Sequence, residues 1–148
     1  MTDPMDTKLL LRRQITVKAI VTPEWKEDAQ RQLQAQLNQV DGQIQQLDFQ
    51  LQKVIEELRK SSEAPEAINA RIQDIKVQAN DQKAQLLQQK NVILQQLDQV
   101  QRLEMGQEVD QGQVDNFFYV TKGDNLIQKM QVEILLRNGV IEEIRGTL

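Results

Sequence analysis

The sequence predicts an α+β protein: a long antiparallel coiled-coil helical hairpin on a small antiparallel β base formed by the N- and C-terminal segments. Three observations carry that reading. Two apolar series recur at alternating spacings of four and three residues, the period of a coiled-coil seam. A breaker, Ser61-Ser62-Glu63-Ala64-Pro65-Glu66, separates them. On both sides lie segments rich in β-branched and aromatic residues that alternate with a period of two.

Residues 9–22 (LLLRRQITVKAIVT) read as the first strand, with Ile15, Val17, Ala19 and Val21 on one face and Gln14, Thr16 and Lys18 opposite. Thr22-Pro23-Glu24 then supplies an N-cap hydroxyl, a proline where no amide donor is needed, and an acid near the positive end of the helix dipole. A helix is predicted from Pro23. Its seam runs Leu33, Leu37, Val40, Ile44, Leu47, Leu51, Val54, Leu58. The returning helix continues with Ile68, Ile72, Ile75, Ala79, Gln82, Leu86, Gln89, Ile93, Leu97, Val100, with two polar layers and a doubled four that marks a stutter.

Antiparallel helices of equal rise place two residues at one height when their numbers have a constant sum. Leu58 with Ile68, Leu51 with Ile75, Leu47 with Ala79 and Leu33 with Ile93 all total 126, as do the layers between them. The same register sets Pro23 opposite Leu103, just before Gly106, a residue type that ends helices. Each helix is then about 55 to 60 Å long at 1.5 Å per residue.

Strand composition returns at Val114 to Thr121, with turn chemistry at Lys122-Gly123-Asp124-Asn125. Met130 to Arg137 alternates again, and Asn138-Gly139 is a strong hairpin signal before Val140 to Ile144. Leu126 to Lys129 is open between helix and loop. The expected organisation is a flexible tail over 1–8, a discontinuous β base over 9–22 and 107–148, and the hairpin over 23–106 with its tip near 61–65.

Composition limits function. The 148 residues include neither His nor Cys, which removes thiol nucleophiles, Ser-His-Asp and Cys-His arrangements, Cys/His zinc sites and disulfides. Net charge is -4 and no run of Lys or Arg exceeds two residues, so nucleic acid is not the expected partner. No window of about 18 apolar residues exists and Met1 to Thr7 lacks a signal-peptide pattern, so a soluble, cytoplasmic protein with no membrane contact is expected. Of the 26 Gln, the 20 between Gln30 and Gln101 are interleaved with the seam residues, as helix surface positions are.

The terminal segments resemble the YlqD family of uncharacterised bacterial proteins. The resemblance lies in Ile15 to Thr22 (ITVKAIVT), Leu103 to Val109 (LEMGQEV), Gly123-Asp124-Asn125 and Asn138 to Arg145 (NGVIEEIR). It implies no reaction, cofactor or catalytic residue. Some relatives are encoded beside genes for ribosome and tRNA maturation, which is an association and not a mechanism.

Each candidate feature also has a plain structural role. Gly123-Asp124-Asn125 reads as a turn rather than a ligand loop. Arg12 and Arg13 are candidates for a charged contact, although neighbours on a strand point to opposite faces. Glu56-Glu57 and Glu142-Glu143 diverge and make poor metal sites. Phe117-Phe118-Tyr119 reads as strand, with at least one Phe in the core. Phe49 lies outside the seam, as do Leu87 and Leu94, seven residues apart on one stripe. Phe49, Leu87, Leu94, Arg12 and Arg13 thus form the candidate interaction surface. A sheet this small, even with Trp25 and Met105 over one face, keeps open edges, so a homo-oligomer is expected, with other proteins as further partners. The expected function is a non-enzymatic protein-binding or assembly module with no cofactor or small-molecule substrate. A prefoldin-like chaperone and a ribosome- or RNA-associated factor are the alternatives.

Overall fold

A computed structural model describes residues 7–148. The tail expected over 1–8 falls outside them except for Thr7 and Lys8, and Lys8 already opens the first strand. The elements are β1 (Lys8–Ile20), α1 (Pro23–Arg59), α2 (Pro65–Arg102), β2 (Glu108–Thr121), α3 (Leu126–Met130), β3 (Glu133–Arg137) and β4 (Val140–Arg145). They form two compact units, a β unit over 7–27 and 103–148 and a helical unit over 28–102.

The four strands lie in the order β2-β1-β3-β4. β2 pairs antiparallel along the whole of β1, and β4 pairs antiparallel with β3. β3, however, runs parallel to β1 from Thr16 to Ala19, so the sheet is mixed and not the purely antiparallel base expected. The cause is where β2 ends. Thr121 sits opposite Lys8, the start of β1, so a chain that passes β1 there through a turn and α3 must set off in the same direction as β1. β2 also begins earlier than its apolar run at Val114, because a bulge at Val17/Lys18 leaves Gln111 unpaired and lets the polar stretch from Glu108 stay in the ladder.

Alternation along β1 separates two faces. On one, Leu11 with Phe118, Arg13 with Asn116 and Ile15 with Val114 are cross-strand partners, and Arg13, Ile15, Ala19 and Phe118 are buried. Residues from α3 and the C-terminus close over this face: the Arg13 guanidinium donates to the carbonyls of Lys129 and Thr147. Met105 is exposed, so it does not supply the expected cover. At the edge of the unit Thr22 caps α1 through the Trp25 amide, Val21 and Gly106–Gln107 exchange backbone hydrogen bonds, and Lys26 Nζ donates to the Leu103 carbonyl. α2 stops at Arg102, four residues before Gly106, since the chain already turns there toward β2.

In the helical unit Val40 and Ile55 of α1 and Ile68, Ile72, Ala79 and Ile93 of α2 are buried. Ile55, Ile68 and Ile72 form one cluster with Leu51 and Leu58. Three expected seam positions are corrected. Val54 is exposed and Ile55 takes its place, so the spacing through 47, 51, 55 and 58 is four, four, three. On α2, Gln82 and Gln89 are exposed while Lys83 and Lys90 are half-buried, which moves the doubled four to 75, 79 and 83. The two stutters lie at adjoining layers, as they must if both helices unwind together. Lysine fits there because its aliphatic stem covers the seam while its ammonium reaches the flank.

Candidate interaction surfaces

The first surface is the exposed part of the opposite face of the sheet, whose other end carries the buried Ile20 and Leu135. Leu10 pairs with Tyr119 and Arg12 with Phe117, so these four side chains share a face, where Phe117 is 65% and Tyr119 61% exposed. Phe118, one step along, is in the core. Further along this face the character changes from apolar to ionic. Arg145 bonds Glu108 at 2.5 Å and Glu143 at 3.2 Å and lies 3.7 Å from Glu133, whose other oxygen meets Lys18 at 3.4 Å. The Glu108 carboxyl is held below its ordinary range, first by the hydrogen bond from Arg145. Every member of this cluster has an opposite charge beside it, with three carboxylates sharing two cations.

The second surface belongs to the helical unit, whose two flanks differ. On one, Lys90 pairs with Asp41 at 2.8 Å and Lys83 with Asp48 at 3.3 Å. Leu87 and Leu94 follow these lysines by four residues each and so share their stripe, partly exposed. The other flank is an open groove, continuous because its successive recesses share Gln43, Leu47, Gln50, Gln82 and Gln89. Gln36, Gln39, Gln43, Gln46 and Gln50 line it from α1, and Gln78, Gln82, Gln89 and Gln96 from α2. Its floor and remaining walls are aliphatic, and none of its lining residues is charged, in a chain that is 27% charged.

The candidate residues therefore do not form one surface. Phe49 is 67% exposed but lines no part of the groove, and Leu87 and Leu94 lie on the ion-pair flank. Arg12 is exposed, whereas Arg13 is 4% exposed, with its guanidinium 4.3 Å from the Phe118 ring centroid and its Nε bonded to Asn116. Arg13 is a core residue and not a surface contact. Gly123-Asp124-Asn125 is a working turn: Asp124 accepts from the Thr121 amide at 2.9 Å and meets Lys129 at 3.2 Å, and Asn125 caps α3. The glutamine stripe was missed by attention to apolar residues. Its spacing of three, four, three, four on α1 carried the signal.

Among the described residues no group of acidic side chains is arranged to hold a metal ion, and no helix is long and apolar enough to cross a membrane. Together the fold and its surfaces define an α+β helical-hairpin protein. The model of the family described as YlqD protein matches residues 9–145, and the chain belongs to that family. It is similar to a crystal structure of a protein of unknown function from Synechococcus sp. WH 8102, with 40% identity and a TM-score of 0.84 over 94% of this chain and 97% of that one. No curated protein matches it.

Proposed function

We propose that the protein is a non-enzymatic assembly and protein-binding module that associates with copies of itself through the β unit. The observation that carries this reading is the exposed apolar patch of Leu10, Phe117 and Tyr119, held in register across β1 and β2. A patch at a sheet edge is costly to leave in water, and β2 is an edge strand of 14 residues with one ladder of backbone groups unpaired by the sheet. The chemistry favours a protein partner over RNA, because burial of Arg13 leaves Arg12 without the second arginine a phosphate contact would use. The hairpin tip, Ser61 to Ala64, is polar or small, which disfavours the client-holding reading.

Light scattering on the purified chain at micromolar concentration tests this. The expected mass is a multiple of 17.1 kDa, and it falls when Leu10, Phe117 and Tyr119 are replaced together by Ser. A wild-type chain that stays at 17.1 kDa rejects self-association through the patch.

A further inference from the structure

Flank positions of a coiled coil ordinarily carry charges that choose a partner. Here one flank does, and its charges are satisfied within the chain by Asp41–Lys90 and Asp48–Lys83. The groove on the other flank is lined by uncharged residues alone, with carboxamides above an aliphatic floor. A hairpin needs only one seam, so closure of the fold does not explain this second, neutral surface.

We propose that the neutral flank docks against the same flank of a second copy, running antiparallel, to make a four-helix bundle. Three properties single out a copy of this chain as the occupant. A carboxamide both donates and accepts, so identical amides brought together by a two-fold axis satisfy one another, where identical charges would repel. The stripe on α1 is also nearly its own mirror: about Gln43 its members lie at offsets of minus seven, minus four, plus three and plus seven, so reversal maps it onto itself to within one residue. Finally, the area suffices. Eighteen residues of rise give about 27 Å of length, and two helices about 20 Å of width. That is roughly 500 Å² per copy and about 1,000 Å² in all, the threshold for a specific contact of modest affinity. Val54 and Val92, exposed at the groove, would be covered.

This deepens the assembly reading, resting on its premise that copies of the chain associate, and adds a contact separate from the β unit. The native chain lacks Cys, so single cysteines give a clean test on the full-length protein. Under mild oxidation Gln43→Cys is expected to link copy to copy, whereas Gln52→Cys, exposed but outside the groove, does not. Gln43→Glu with Gln46→Glu is expected to weaken association at least about tenfold by like-charge repulsion, with circular dichroism confirming that the helices persist. Wild-type association is expected to be insensitive to added salt. If the Glu pair leaves the mass unchanged and Gln43→Cys stays unlinked while the Leu10/Phe117/Tyr119 variant dissociates, the groove proposal is overturned and the β-unit reading stands. Linkage at Gln43 with no effect of the β-unit variant upholds the groove and rejects the β-unit contact. A chain monomeric throughout and unlinked at Gln43 rejects both.

Discussion

The Thr22 hydroxyl donates to Asn138 Oδ1 at 2.5 Å while its oxygen accepts the Trp25 amide at 3.0 Å. One buried side chain thus caps α1 and ties that cap to the turn between β3 and β4. The turn presents Asn138 because a two-residue loop between Arg137 and Val140 needs positive φ at both positions, which Asn138 (50°) and Gly139 (82°) adopt.

Thr22→Val keeps the shape, removes the cap and leaves the Trp25 amide and the Asn138 amide oxygen short of a partner. It should cost about 1 to 2 kcal/mol in urea unfolding. Thr22→Ser retains the hydroxyl and should recover most of that. Equal losses from Val and Ser would mean the methyl packing matters and the hydrogen bonds do not.

Arg13 gives a second expectation. Its guanidinium donates to Asn116, Lys129 and Thr147 and stacks over Phe118, so it organises the segment that closes the covered face of the sheet. Arg13→Met fills similar volume but strands two carbonyls and an amide oxygen, and should destabilise by about 2 to 3 kcal/mol. Arg12→Met, on the exposed face, should change stability by less than about 0.5 kcal/mol. Similar effects from the two substitutions would contradict the assigned faces.

The acid response follows from Glu108 and Asp124. Both carboxyls are held below their ordinary values of 4.5 and 3.8, Glu108 chiefly by Arg145 and Asp124 chiefly by the Thr121 amide. A carboxyl depressed in the folded state contributes stability above its ordinary value and loses it as pH falls through the folded value. Stability should therefore hold from neutrality to about pH 5 and decline below it, read through the single tryptophan, Trp25, in the β unit. Glu108→Gln should flatten part of that decline. An unchanged slope would show that the Arg145 contact is not maintained in solution.

What the sequence made legible depended on how local each signal was. The Thr22-Pro23 start, the Asn138-Gly139 turn and the return between Lys60 and Pro65 are each written in adjacent residues, and all three are where they were expected. The parallel pairing of β3 with β1 was not legible, because it depends on where β2 ends relative to Lys8, a relation between segments over 100 residues apart. Most expected seam positions are buried or half-buried, but the series slipped at Val54, Gln82 and Gln89. There a strict seven-residue repeat was extended across a stutter, and an adjacent lysine stem competes for the half-buried place. Of the candidate surface, exposure of Phe49, Leu87 and Leu94 was legible from helical phase, but the neutral groove required both helices to be seen together.

The last prediction contrasts two glycines. Gly42 lies within α1, and a Cβ added there meets nothing within 4 Å, so its flexibility serves no packing need. Glycine in a helix interior costs about 0.8 to 1.0 kcal/mol relative to alanine, most of it in the entropy of the unfolded chain. Gly42→Ala should therefore stabilise the protein by about that amount. Gly146 has φ of 115°, and an added Cβ would lie 2.4 Å from the Gln131 carbonyl oxygen, a backbone atom that cannot swing aside. Gly146→Ala should destabilise and should loosen the C-terminal residues that carry the Thr147 carbonyl to Arg13. Hydrogen exchange separates the two: faster exchange around Gln131–Val132 is expected in the Gly146 variant and slower exchange along α1 in the Gly42 variant. A Gly42→Ala protein less stable than the wild type would show that α1 bends or is approached closely at that residue.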